Sequence, residues 1–93
     1  MNKSTLDMLL NQRVVLDTAG PLIYIGTLVA FDEQGYWLTD ADLHDRSDGY
    51  CTKEEYVSET REIEKSDAPR VNRRRVFVDR QVVYSVSAIE DVL

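Results

Sequence analysis

Along most of this chain, apolar residues alternate with polar ones or run in short blocks bounded by turn residues, which is a strand pattern. Arg13-Val-Val-Leu16-Asp17-Thr18 reads as a first strand and Ala19-Gly20-Pro21 as a turn. Leu22 to Phe31 reads as a long second strand, apolar on both faces near its centre, so both of its faces must be covered. Asp32 and Gly35 bracket a tight hairpin turn. Tyr36 to Leu43 forms a third strand, with Trp37, Thr39, Ala41 and Leu43 on one face, read as the inward one, and Leu38, Asp40 and Asp42 on the other. Strands resume at Val71 to Val78 and Val82 to Ala88, linked by Asp79-Arg80-Gln81, and Ile89 to Val92 closes the chain.

Two segments break this pattern. Near the start, Ser4 suits a helix N-cap with Asp7 reaching back to it. Leu6, Leu9 and Leu10 then share one helical face as far as Asn11-Gln12. Between His44 and Pro69 the chain is polar and dense in charge. Ser47-Asp48-Gly49 reads as a turn, and Thr52-Lys-Glu-Glu55 as a second capping box with Tyr56, Thr60 and Ile63 on one face behind it. This predicts a short helix over 53–65, with an extended hairpin arm as the rival reading. Residues 44–69 are thus an insertion between strands three and four, one that a barrel is expected to fold without.

A length of 93 residues fits one domain spanning 1–93, with a thin core and stability that is modest or shared with partners. No apolar run approaches the ~20 residues of a membrane span, and no secretory leader pattern opens the sequence. Cys51 is the only cysteine, so no internal disulfide can form; the expected location is cytoplasmic. The net charge of −6 opposes simple phosphate binding, but it is unevenly spread. Residues 1–43 and 44–69 each carry −4, whereas 70–93 carry +2 through Arg70, Arg73, Arg74, Arg75 and Arg80.

The stretch Gly26-Thr-Leu28-Val-Ala-Phe31-Asp32-Glu-Gln-Gly35-Tyr-Trp-Leu38-Thr-Asp-Ala41 resembles the first signature of the Sm and Sm-like (LSm) proteins. An apolar residue precedes a Gly, Leu follows two positions on, Asp after four more, and a turn leads to an apolar strand ending in Asp-Ala. Val76-Phe-Val78-Asp79-Arg80-Gln81-Val82-Val83-Tyr84-Ser-Val86 occupies the place of the second signature. Asp79-Arg80 stands there where the family has Arg-Gly, and Gly35 stands closest to the family's base-reading Asn. The resemblance implies a mainly β fold: a small, strongly bent five-stranded antiparallel barrel of the Sm-like, SH3-type kind. An N-terminal helix precedes it, and the loop or short helix of 44–69 lengthens the connection between strands three and four.

It further implies a cyclic homo-oligomer of five to seven subunits that binds single-stranded RNA in RNA processing or regulation. The contacts would come from the turns Gln34-Gly35-Tyr36 and Asp79-Arg80-Gln81, of which Arg80 is the only basic member. Tyr36 and Trp37 flank the first turn and would either stack on a base or pack in the core, the core reading being favoured for Trp37. Arg73, Arg74 and Arg75 would add a weaker, sequence-independent contribution. The alternative is an oligomeric scaffold on the same barrel that binds no RNA and meets other proteins through the acidic insertion. Its warrant is the acidic charge and the two altered signatures, since fold alone does not imply function.

No enzyme is expected, and no catalytic residue, metal ligand or cofactor is assigned. His44, Asp45 and Cys51 fall short of a structural zinc set, and spacing alone does not place His44 against Cys51 for thiol chemistry. Asp40, Asp42, Asp45 and Asp48 read as a solvated acidic face, because Arg46 stands where a calcium loop needs an oxygen ligand.

Overall fold

The structure is a computed structural model that describes residues 5–45 and 52–93. Five antiparallel strands form one sheet: β1 (Arg13–Thr18), β2 (Leu22–Phe31), β3 (Gly35–Asp45), β4 (Arg73–Asp79) and β5 (Val83–Ala88). Their order is β4-β3-β2-β1-β5, so β4 and β5 are its edges. One helix, α1 (Lys53–Ser66), lies between β3 and β4 in sequence. The mainly β, Sm-like order of elements expected from the sequence is therefore present.

The sheet bends because its long central strands carry bulges. Ile25 pairs with Asp42 and Thr27 with Thr39, so β3 holds one extra residue there. That place includes Asp40, whose φ of 47° is a left-handed conformation that Asp tolerates better than most residues. Further on, Leu28 pairs with Leu38 but Ala30 with Trp37, leaving Val29 extra in β2. Gly26 sits inside the bend: a Cβ there would lie 3.1 Å from the Cβ atoms of Leu38 and Ala41 and 3.2 Å from the Thr39 carbonyl oxygen.

The bulge overturns the expected facing of β3. Trp37 does not share a face with Ala41; Tyr36 and Leu38 point inward, and the extra residue brings Ala41 inward as well. They join Val14, Leu16, Leu28 and Val78 in the main core, with Leu6, Leu9, Leu10 and Val76 packed around it. The N-terminal leucines pack on the core, but from a 3-10 turn, Thr5–Leu9, where the sequence predicts a short helix. The reason is that Asn11 (φ 66°) donates its N–H to the Leu28 carbonyl at 2.6 Å, and Gln12 accepts from the Leu28 N–H at 3.0 Å. The chain is pulled into the sheet before a second helical turn can form. Ser4, Arg46, Ser47, Asp48, Gly49 and Cys51, named above, lie outside the described residues.

The helix forms where its capping box predicts. Thr52 accepts from the Glu55 N–H at 3.1 Å, and the Glu55 carboxylate accepts from the Thr52 N–H at 3.3 Å. Its apolar face includes Val57 as well as Tyr56 and buries both, with Thr60, against a second cluster made of Val15, Ile23, Ile25 and Ile89. These side chains lie on the opposite face of the sheet from the main core. Helix α1 is therefore a cover for the outward apolar residues of β1 and β2, where the sequence alone suggested a segment the barrel folds without.

Candidate nucleic-acid interface

The two turns implicated by the sequence come together at one end of β3 and β4. In the first, the Asp32 carboxylate accepts from the N–H groups of Gln34 (2.7 Å) and Gly35 (3.2 Å), and the Asp32 N–H donates to the Gly35 carbonyl (3.0 Å). In the second, Asp79 caps a 3-10 turn, Arg80–Val82, by accepting from the Gln81 N–H at 2.8 Å. The Arg80 N–H donates to the Gln34 carbonyl at 2.9 Å, and its guanidinium reaches the Glu33 carbonyl at 3.5 Å.

Gly35 is what permits this approach. A Cβ at Gly35 would lie 2.2 Å from the Val78 carbonyl oxygen and 2.7 Å from the Phe77 ring, and the first of these is backbone that cannot swing aside. The result is an open cleft of about 590 Å³, lined by Glu33, Gln34, Phe77, Asp79, Arg80 and Gln81. Gln34, Asp79, Arg80 and Gln81 are exposed in it. Gly35 is buried as a spacer between strands, and Tyr36, at 8% exposure, belongs to the main core, so base stacking at this turn does not fall to Tyr36.

Trp37 is corrected in the opposite direction. It is 39% exposed on the outer face of β3, with its ring tilted 57° against Phe77 at 5.2 Å and the Arg75 guanidinium 5.4 Å above the indole. Phe77, which sequence reasoning passed over, is exposed to a similar degree. Pairing of Trp37 with Phe77 and of Thr39 with Arg75 puts these side chains on one face.

The arginine cluster divides by role. Arg70 lies 4.4 Å over the Tyr56 ring, donates to Thr60 Oγ1 and to Glu59 Oε1 (3.3 Å), and so ties the chain after α1 back onto the helix. Arg73, Arg74 and Arg75 are exposed on the edge strand.

His44, Asp42 and Tyr56 form a packed, hydrogen-bonded network. The His44 and Tyr56 rings stack at 3.7 Å, and the Tyr56 hydroxyl donates to Asp42 Oδ2. The Asn72 amide donates to Asp42 Oδ1 at 3.0 Å. Asp42, at 5% exposure, is thus no part of a solvated face. Burial first, and then the bond to the Asp42 carboxylate, raise the Tyr56 phenol above its ordinary value. Among the described residues, no group of three or more His, Cys, Asp or Glu side chains is placed to share a metal ion. Nor is any helix there long and apolar enough to cross a membrane.

Comparison with protein-family models and with curated proteins gives no match. Comparison with solved structures does. The Pyrococcus abyssii Sm protein in complex with a uridine heptamer aligns at a TM-score of 0.59 and 13% identity, over 92% of this chain and 99% of that one. A chain of the NatC complex bound to Gag peptide and CoA aligns at 0.58 and 17% identity, over 95% and 96%. A novel Sm-like archaeal protein from Pyrobaculum aerophilum aligns at 0.55 and 19% identity, over 89% of this chain and 47% of that one. With the strand order, the bent β2 and the joined turns already in place, these likenesses establish that the fold of this chain is Sm-like.

Proposed function

We propose that this chain is a ring-forming Sm-like subunit, cytoplasmic and without catalytic activity, that binds single-stranded RNA in RNA processing or regulation. The observation that carries the reading is the cleft: two turns far apart in sequence are locked together around an open space with Arg80 at its edge. Arg80 offers a fixed fork of donors for a phosphate or a base edge, and Gln34 and Gln81 offer amides. The uridine heptamer bound by a structural neighbour supports the same ligand class. Assembly follows from the edges. Unpaired strands recruit another chain, β4 and β5 are the two sheet edges, and Val82 and Tyr84 stand exposed beside β5 and on it, Tyr84 at 75%. Joining β5 of one copy to β4 of the next closes a ring, for which the Sm resemblance suggests five to seven subunits. Several clefts in one ring would then combine weak contacts by multivalency.

The likeness to a chain of the NatC complex, together with the net charge of −6, favours a second reading: a scaffold on the same barrel, meeting protein partners through its acidic insertion. A mobility-shift titration with short U-rich and A-rich RNA separates the two. The RNA reading expects binding at about 50 mM salt that weakens toward about 150 mM. Absence of binding at the lower salt rejects it and leaves the scaffold. Light scattering that finds a stable monomer at micromolar concentration rejects the ring.

A further inference from the structure

We infer that the outer face of β3 and β4 is a stacking platform, built from Trp37, Phe77 and Arg75, that takes bases of the single strand as it leaves the turn cleft. This rests on the RNA reading and extends it to residues away from the two turns.

Three observations converge on this face. Phe77 belongs to both places: it lines the cleft and touches Trp37, so a strand leaving the Arg80 end meets aromatic surface without a gap. Next, Trp37 and Phe77 are large apolar rings left substantially exposed by a chain that covers Val15, Ile23 and Ile25 with a whole helix. Their tilted contact leaves ring surface open in a way that a parallel stack would not, and the neighbour paired with Trp37 on β2 is only Ala30, too small to shield it. Lastly, the charge along this face suits a polyanion. Arg73, Arg75 and Phe77 follow one another at the two-residue period of a strand and so share a side, with Arg75 already over the indole and Arg80 beyond Phe77 at the turn.

Aromatic faces and guanidinium planes are the surfaces on which splayed bases of single-stranded RNA stack, and such contacts tolerate any base. The platform would therefore add affinity and length to the bound site, while base preference stays with the cleft. A second copy of this chain is the rival occupant, because Phe77 lies on an edge strand.

The sequence contains a single tryptophan beside its tyrosines, so emission excited to the red of tyrosine absorption reports on Trp37 alone. The experiment titrates the full chain with a fluorescein-labelled uridine heptamer and an unlabelled one, following anisotropy and Trp37 emission in parallel at about 50 mM salt. Quenching that saturates together with anisotropy is expected. Trp37→Leu should weaken binding roughly tenfold, and Trp37→Phe should restore most of it, because a ring rather than mere apolar bulk is required. RNA binding with unchanged emission and an unaffected Trp37→Leu variant overturns the platform and leaves the cleft reading standing. No RNA binding overturns both. If, in addition, emission shifts to the blue with rising protein concentration, the face is an interface between copies.

Discussion

The outer face of this sheet is finished in two different ways. At the end formed by β1, β2 and the last residues of β3, helix α1 closes it. Val15, Ile23 and Ile25 are buried, and Arg13 holds Glu64 by two bonds of 3.1 and 2.8 Å. Lys53 holds Asp17 at 2.6 Å, and the Tyr56 hydroxyl and the exposed Asn72 amide both donate to buried Asp42. At the other end, where β3 and β4 run toward the turns, no helix among the described residues covers Trp37 and Phe77, which stay 39% and 37% exposed. One strand contributes to both: β3 places Asp42 and His44 under the helix and Trp37 in the open. The contrast shows that this chain has the means to bury an apolar sheet face, and that the bare end adjoins the cleft proposed to meet the ligand.

The comparison predicts unequal responses to mutation. The largest effect belongs to the cover itself. Removing residues 52–67 and joining the ends with a Gly-containing turn exposes Val15, Ile23, Ile25 and Ile89 at once, so cooperative thermal unfolding followed by circular dichroism should be lost. A deletion variant that keeps a sharp transition would show that the barrel stands without its helix.

Single truncations should divide the two ends. Ile25→Ala, under the helix, should cost about 2–5 kcal/mol in denaturant unfolding, as for other large-to-small core changes. Trp37→Ala, at the open end, should fall well short of that, because much of its ring is already in water. Equal losses would mean that the open face contributes as much to folding as the covered one.

Within the cover, Tyr56→Phe removes the hydroxyl that donates to buried Asp42 and should cost about 1–3 kcal/mol. Its pH dependence has a definite sign. The folded Tyr56 holds its proton above the ordinary value of about 10, where the unfolded chain releases it. Stability from this group is complete below pH 10 and declines as pH rises beyond it. The gap between wild type and Tyr56→Phe should therefore narrow in unfolding titrations above pH 10. The smallest effect is expected for Thr52→Ala, about 1 kcal/mol from the lost cap.

Much of this architecture was legible because its causes are local. The bounds of β1 and β2 follow from apolar runs closed by Ala19-Gly20-Pro21 and by Asp32, and the helix start follows from the Thr52–Glu55 box. Meeting of the two turns followed from the Sm resemblance, not from local pattern. What local pattern misplaced was Trp37. Strict alternation assigns it to the face of Ala41, but one unpaired residue at Asp40 reverses the parity, and an Asp gives no glycine-like warning of a bulge. The N-terminal turn, the Arg70–Tyr56 contact and the burial of Asp42 depend on partners distant in sequence, which no periodicity reports. For the candidate site, Gln34, Asp79, Arg80 and Gln81 were placed together as expected; Tyr36 was lost to the core, and Phe77 gained.

On the proposed RNA reading, the cleft between the turns, rather than the basic edge strand in general, would set base preference. It is tested most directly by comparing Arg80→Ala with Arg74→Ala in anisotropy titrations against U-rich and A-rich heptamers over a range of salt. Arg80→Ala should abolish most of the preference between the two sequences. Arg74→Ala should leave that preference intact and lower the slope of log affinity against log salt by roughly 0.7, the value for one phosphate contact to a single strand. Two variants that lose affinity alike for both sequences, with the preference unchanged, would contradict it.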